Sequence, residues 1–563
     1  MIRAESRAAT VKRFAERHAA RRVEEQAMKM NCSTLQDGAH WQSLGVKLPE
    51  YDVAAVAAAT RQHPIWVHFG AGNIFRGFIA ALQQRLLDAK SADRGIIAAD
   101  TFDYEIIDRI YTPYDNLTMM VTLGGDGTTS REIIASVAEG IRADCTDAAE
   151  MRRLREISRD PGLQMLSFTI TEKGYALTKP DGTLLPVAEA DEKEGPARPH
   201  HAMSVVAAML HERWKAGRYP LALVSMDNCS RNGEKLRAGV LAMAKAWCRN
   251  GFVEQDFLSY IRDENMVSFP WTMIDKITPR PHEAVEAALE KDGIEDMAPI
   301  VTAKHSYIAA FVNAERSQYL VVEDRFPNGR PALEKAGVYM TDRATVNLAE
   351  RMKVTTCLNP LHTAMSVYGC MLGYTLICEE MKDKDIVALI SRLGYVEGLP
   401  VVVDPGILSP KDFLDDVIGQ RLPNPFMPDT PQRIATDTSQ KVGIRYGETI
   451  KSYLAQGRDL NHLTAVPLAI AGWLRYLLGI DDAGKPFEVS PDPLKEMLQA
   501  QLADIRVGAP DTYCGQLRPI LANTAIFGTD LTATPLAACI ETMFCEELAG
   551  PGAVRAALKK HLG

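Results

Sequence analysis

The stretch Glu350-Arg351-Met352-Lys353-Val354-Thr355-Thr356-Cys357-Leu358-Asn359-Pro360-Leu361-His362 carries the residue types that proton transfer at a carbonyl oxygen requires. Pro360 suits the first position of a helix and pushes Asn359 out of the α region, so Asn359 is expected as the N-cap and His362 in the first turn. An asparagine that caps with its oxygen still has an NH2 to donate, and it does so beside the positive end of the helix dipole. That arrangement suits the alkoxide-like oxygen formed when hydride joins or leaves a carbon. Lys353 can supply or remove the proton, because a positive helix end and partial desolvation push a lysine toward the range of a general base. The same residues also describe a surface lysine followed by an ordinary capped helix.

A second candidate is Gly70-Ala71-Gly72-Asn73-Ile74-Phe75-Arg76, set between an apolar run and a helical pattern. Gly70 permits a tight turn, Gly72 lets the backbone approach a pyrophosphate, and the helix start offers free N–H groups. Phe75 stands where the dinucleotide fingerprint has its third glycine, so the segment also reads as a plain glycine turn between packed elements. Asp100, after the next apolar run, can accept hydrogen bonds from ribose hydroxyls and repel a 2′-phosphate, which favours NAD over NADP. Asp100, Thr101 and Asp103 also read as caps of the next turn. Asp227-Asn228 and Asn232-Gly233 offer a second amide donor, or serve as turn formers at a strand end.

These groups need elements to position them. Apolar runs at Pro64–Phe69, Gly95–Ala99, Leu163–Thr171 and Pro220–Ser225 read as strands, and Phe75–Lys90 as a helix. Leu117–Leu123 and Ser130–Val137 read as a strand pair around Gly124-Gly125-Asp126-Gly127. The alternation from about Asp52 to Asp144 predicts a parallel, doubly wound sheet, whose strand ends would gather Thr171-Glu172-Lys173-Gly174-Tyr175 and Asp227-Asn228. After Asp342 the segments Pro360–Met381, Asp385–Leu393, Pro467–Leu478, Pro493–Leu502 and Pro535–Leu548 predict a mainly helical half, with Pro423–Pro431 as a long ordered loop.

A chain of 563 residues exceeds one ordinary core. The expected parts are a charged extension over 1–44, a dinucleotide-binding domain over 45–342 and a helical substrate and catalytic domain over 343–563. With 46% hydrophobic and 24% charged residues the composition is globular, and the net charge of -9, spread along the chain, argues against nucleic-acid or anionic-membrane surfaces. The ten cysteines show no C-x-x-C pair and read as reduced thiols of a cytoplasmic protein. No H-E-x-x-H and no His/Cys cluster is present, so no sequence-local metal site is expected. His462–Ile480 contains Pro467 and Arg475 and reads as a buried helix, not a membrane span. The first thirty residues are basic, lack the apolar core of a secretory signal, and offer Met28 and Met30 as alternative starts.

Five ordered motifs resemble the polyol-specific long-chain dehydrogenase family, which includes mannitol dehydrogenase, fructuronate reductase and tagaturonate reductase. They are Gly70 to Arg76, Thr171 to Tyr175, Met226-Asp227-Asn228, Phe269 to Pro279, and Lys353 to His362. The resemblance covers most of the chain after about residue 45. It implies an α/β fold, with an N-terminal Rossmann-type domain and a mainly α-helical C-terminal domain, no metal, and a site in the cleft between them. It also implies that Lys353 is the general acid/base, Asn228 and Asn359 the oxyanion pair, His362 a substrate-orienting group and Glu350 a proton-path carboxylate. Gly70, Gly72, Asn73, Ile74, Phe75, Arg76 and Asp100 then fall among the cofactor contacts, and Asp275, Lys276, Arg433 and Lys441 among the substrate contacts. The family has four residues between its lysine and asparagine, whereas Val354 to Leu358 makes five, and Ile274-Asp275-Lys276 replaces a usual Val-Asp-Arg.

The expected activity is NAD-dependent hydride transfer on a small sugar acid or sugar alcohol. Fructuronate to mannonate is favoured by the cations Arg433 and Lys441 and by Arg280 and His282 in Pro279-Arg280-Pro281-His282. A neutral polyol dehydrogenase is the nearest rival. A non-catalytic dinucleotide sensor is another, disfavoured by the intact Lys353, Asn359 and His362.

Overall fold

The computed structural model describes residues 28–563, so the expectation for the first 27 residues lies outside the described chain. The described residues divide into two compact units, one of residues 28–123 and 128–346, the other of 124–127 and 347–563.

The first unit is built on a six-stranded parallel sheet. Its strands are β1 (Trp66–Phe69), β2 (Ile96–Asp100), β3 (Val137–Arg142), β4 (Met165–Phe168), β5 (Leu221–Ser225) and β6 (Val267–Ser268). They lie in the order β3-β2-β1-β4-β5-β6. The winding reverses between β1 and β4, and ligands of such sheets gather at the carboxyl ends there. Every residue of β1, β2, β4 and β5 is buried. Both faces are covered, which is why these strands read as unbroken apolar runs. Val67, Phe69, Ile97, Ala99, Leu166 and Phe168 join one core, while Trp66, Ile96, Ala98, Met165, Ala222 and Val224 join the other.

The expected strand pair forms: Thr118–Leu123 and Thr129–Ile134 run antiparallel, with Thr118 opposite Ile134. Strand β3 was not expected. It is an edge strand, and its outward Glu139 is engaged by Arg153 Nε at 3.0 Å and Nη2 at 2.8 Å, so its sequence looks polar. The described part of the expected charged extension over 1–44 makes defined contacts. Met28 bridges to Ile294, and Trp41 is fully buried with its indole N–H donating to the Thr34 carbonyl at 3.0 Å.

The second unit is helical. Its chief helices are α1 (Asn359–Leu372), α2 (Ala465–Tyr476) and α3 (Leu536–Glu547). All twelve residues of α2 are buried, as expected of a helix that is apolar all round. Helix α1 crosses it closely: a Cβ on Gly472 would lie 2.5 Å from the Tyr368 ring. The Tyr368 hydroxyl lies 2.7 Å from Glu547 Oε1 of α3 and 2.9 Å from the Leu468 carbonyl oxygen. These contacts fix α1, and with it the direction of Asn359 and His362. Among the described residues no helix is long and apolar enough to cross a membrane, and no cluster of His, Cys, Asp or Glu is placed to hold a metal.

Candidate active site

Gly70 is the first residue beyond β1. Its φ is +99°, and a Cβ there would stand 2.3 Å from the Thr169 carbonyl oxygen, so only glycine fits. Gly72 differs, because a Cβ there would meet no heavy atom within 4 Å. One glycine is required by the protein's own backbone, and the other keeps a face open to an approaching group.

The turn is fastened to its neighbours. Gly70 N–H donates to the Ala99 carbonyl at 2.9 Å, Ala71 N–H to Asp100 Oδ2 at 3.1 Å, and the Tyr111 hydroxyl to the Ala71 carbonyl at 2.9 Å. Asp100 Oδ1 also accepts from the Phe102 and Asp103 N–H groups, both at 2.8 Å. Burial raises the Asp100 carboxyl above its ordinary value, against the pull of these three donors. Its contacts in the structure are therefore those of a fastener between the turn and β2, matching the capping alternative.

Two of the residues expected to contact the cofactor, Phe75 and Arg76, turn their side chains into the protein. The Phe75 side chain is fully buried and stacks on the His68 ring with centroids 4.2 Å apart. Arg76 is fully buried, donating to the Ala309 carbonyl at 2.7 Å and to Asn73 Oδ1 at 2.8 Å. Both side chains support the turn from within. Asn73 and Ile74, at the helix start, are half-buried. The close packing that a third glycine would give falls on Gly77, where a Cβ would come within 3.0 Å of Thr278 Cγ2. Sequence reasoning missed it because the wide turn Phe75–Ile79 moves that role two places on.

Beneath the turn, β1 and β4 are joined by a buried polar ladder. His68 Nδ1 lies 2.7 Å from Ser167 Oγ and Nε2 lies 2.8 Å from Thr169 Oγ1, and Trp66 donates to the same Ser167 oxygen at 2.6 Å. Burial pushes His68 down from 6.5 to about 3. Below pH 6.5 the unfolded chain takes up a proton that the folded chain refuses, so this stability is complete above pH 6.5 and is lost as pH falls toward 3. Urea unfolding midpoints should fall between pH 7 and pH 4.5, and His68→Gln should make that fall shallower. An equally steep fall in the variant would assign the acid sensitivity to other groups.

At the ends of β4 and β5, Asp227 holds the following loop. Its carboxylate accepts from Ile170 N–H at 3.0 Å, Thr171 N–H at 2.9 Å and the Tyr175 hydroxyl at 2.5 Å. Thr171 has φ +65°, a conformation these bonds maintain. Asn228 beside it is exposed within its unit. Asn232, the other amide proposed as a donor, is corrected: it is fully buried, with Nδ2 donating to Asp227 O and Thr272 O, each at 3.0 Å. Lys276 donates to the Glu315 carbonyl and lies 5.7 Å from the Phe78 ring centre, next to the buried Asp275. His282 is the N-cap of Glu283–Lys291, accepting from Ala284 N–H at 3.2 Å, and Arg280 lies over the Tyr307 ring.

In the second unit Lys353 is 3% exposed and opens the wide turn Lys353–Cys357. Leu358 N–H donates to the Lys353 carbonyl at 3.1 Å, an i to i+5 closure that takes up the extra residue before α1. Leu358, with φ −130° and ψ −63°, precedes the helix, and no side chain caps it. Asn359 is thus the first helical residue, one place beyond the expected N-cap, because the wide turn draws Leu358 out of the α region instead. Pro360 at the next position still lacks only an N–H that would be orphaned there. Glu350, three residues before the lysine, is half-buried.

His362 follows on the first turn of α1, its N–H donating to the Leu358 carbonyl at 3.0 Å. Its Nε2 is buried and lacks a hydrogen-bond partner among the described residues; Asp429 Oδ2 stands 3.6 Å away, beyond hydrogen-bond reach. Burial lowers His362 to about 4, with Asp429 acting to raise it and Arg445, Arg433 and Arg421 to lower it. It is a neutral imidazole near neutral pH, with a nitrogen available to a hydroxyl. The proline-rich run delivers Asp429, then starts the short helix Pro431–Ile434 packed against α1. Arg433 donates through Nε to Asp429 at 2.6 Å. Lys441 donates to the Thr436 carbonyl at 2.5 Å and is lowered first by burial, then by Arg445.

A family model described as the mannitol dehydrogenase Rossmann domain matches residues 64–335, and one described as the mannitol dehydrogenase C-terminal domain matches 346–544. D-mannonate oxidoreductase of Thermotoga maritima is 51% identical over 539 residues, covering 95% of this chain and 99% of that protein. Mannitol 2-dehydrogenase of Pyrenophora tritici-repentis is 31% identical over 447 residues, covering 78% of this chain and 73% of that one. The solved structure of Pseudomonas fluorescens mannitol 2-dehydrogenase in a ternary complex with NAD and D-mannitol has a TM-score of 0.66 at 27% identity, covering 95% of this chain and 99% of that one. A substrate-free D-sorbitol dehydrogenase has a TM-score of 0.75 at 24% identity, covering 91% and 97%, a likeness of fold.

Proposed function

Because the chain belongs to the mannitol dehydrogenase family, we propose that it is an oxidoreductase interconverting an open-chain keto-sugar acid and its aldonate, with D-fructuronate and D-mannonate as the pair. The observation that carries the reaction is the buried Lys353 placed one wide turn before a helix start that offers Asn359 and His362. The extent of similarity to a D-mannonate oxidoreductase supports the acid over the neutral polyol.

The first unit holds the dinucleotide. The open face of Gly72 and the N–H groups of the helix start suit a pyrophosphate. When bound, the nicotinamide supplies or accepts the hydride. Besides fastening the turn, Asp100 would set a carboxylate at the end of β2 against a 2′-phosphate, which favours NAD over NADP.

The second unit handles the sugar. Lys353 Nζ moves the proton at the reacting oxygen. The Asn359 amide donates an N–H to that oxygen as charge builds on it, beside the positive end of α1. The unpartnered Nε2 of His362 binds a sugar hydroxyl and orients the chain. Glu350 relays the proton toward solvent. Ten unpaired cysteines fit a reducing compartment, the cytoplasm.

The test is NADH and NADPH consumption by purified protein with D-fructuronate, D-tagaturonate, D-fructose and D-mannose-derived ketoses. We expect D-fructuronate with NADH to give the highest kcat/KM. Fastest turnover of D-fructose would support a neutral polyol dehydrogenase. Cofactor binding without turnover of any substrate would support the sensor.

A further inference from the structure

The basic side chains around His362 differ in what balances them. Arg433 is exposed and bound to Asp429. Lys441 sits on a backbone carbonyl, with Asp437 and Asp492 acting on its charge. Arg445 has neither arrangement. Its only side-chain hydrogen bond is from Nη1 to Thr363 Oγ1, and it forms no ion pair among the described residues. A guanidinium has five N–H donors in a planar fork, so most of this one's donors have no protein acceptor. Partial burial lowers its pKa to about 10, so water solvates this half-buried cation only incompletely.

Such a group is costly to maintain unless something completes it. Its position indicates what that is. Arg445 belongs to the wide turn Gly443–Gly447, which packs against both the Lys353–Cys357 turn and α1. Its acceptor Thr363 directly follows His362 in α1, and its charge acts on the His362 ring. Arg445 is therefore tied to the turn of α1 that carries the group proposed to orient the sugar.

We propose that Arg445 is a specificity-determining residue that binds the carboxylate of a sugar-acid substrate as a forked ion pair. The inference rests on the sugar-acid reading above. It supplies the physical reason for that preference: a carboxylate completes the half-buried, unpaired cation, whereas a neutral polyol leaves it uncompensated. Lysine would place a point charge there without the fork.

The test compares Arg445→Gln and Arg445→Lys with the wild type, measuring kcat and KM for D-mannonate and for D-mannitol, and NADH affinity by fluorescence titration. For Arg445→Gln we expect kcat/KM for D-mannonate to fall by about 100-fold or more, mainly through KM, with NADH affinity within about twofold. D-mannitol should lose far less, and Arg445→Lys should recover about tenfold. An unchanged D-mannonate KM would overturn the proposal, as would equal losses for both substrates. If Arg445→Gln does not fold, Arg445→Lys decides alone, because a D-mannonate KM like the wild type's would overturn the forked pair. A wild type that turns over ketoses but no sugar acid would remove the substrate class itself, before any variant is made.

Discussion

Lys353→Ala is expected to lower turnover by about 10²–10⁴-fold, the usual worth of a positioned acid or base. NADH affinity should stay within about twofold, since Gly70, Gly72 and Asp100 belong to the other unit. The size of the effect follows from burial: Lys353 is 3% exposed, so bulk water is a poor substitute for it. Alanine leaves the wide turn intact, because the i to i+5 bond is made by backbone atoms. Steady-state kinetics with a parallel NADH titration makes the measurement. Turnover within tenfold of wild type would move the acid/base role to another group.

Gly70→Ala should abolish NADH binding and destabilise the first unit. A Cβ at φ +99° carries the left-handed backbone cost of roughly 1–2 kcal/mol. It would also lie 2.3 Å from the Thr169 carbonyl oxygen, an overlap only a backbone shift at the end of β4 relieves. Gly72→Ala provides the contrast. Its Cβ meets nothing within 4 Å, so the variant should fold like the wild type and lose about tenfold or more in NADH affinity by obstructing the open face. Thermal melting separates the two, and full NADH affinity in a folded Gly72→Ala would show that the dinucleotide does not approach there.

The parallel sheet was legible because its central strands are buried on both faces and read as unbroken apolar runs. Edge strand β3 was not, since Glu139 and Arg142 face partners rather than core. The helical half was legible in outline from its periodicity, but the wide turns at Phe75–Ile79 and Lys353–Cys357 were not. One extra residue per turn leaves no compositional mark. At the glycine turn, sequence indicated which residues gather but not which way each side chain faces. Phe75 and Arg76 look like ligand contacts by position and are core by orientation. Arg445 was overlooked for a related reason: a basic residue in a helical pattern looks solvated, and only the fold reveals that its half-buried charge has no counter-ion among the described residues.

The wide turn at Lys353 also bears on how motifs are written. An α-helix advances 100° around its axis per residue, so one inserted residue would swing every later side chain by that angle. A single turn closed i to i+5 lets the backbone complete its circuit with one residue more, cancelling the swing locally. A direction between Lys353 and Asn359 can then be kept while the number of residues between them changes. A pattern expressed as a fixed spacing would reject such a change, and one expressed as directions around an axis allows it.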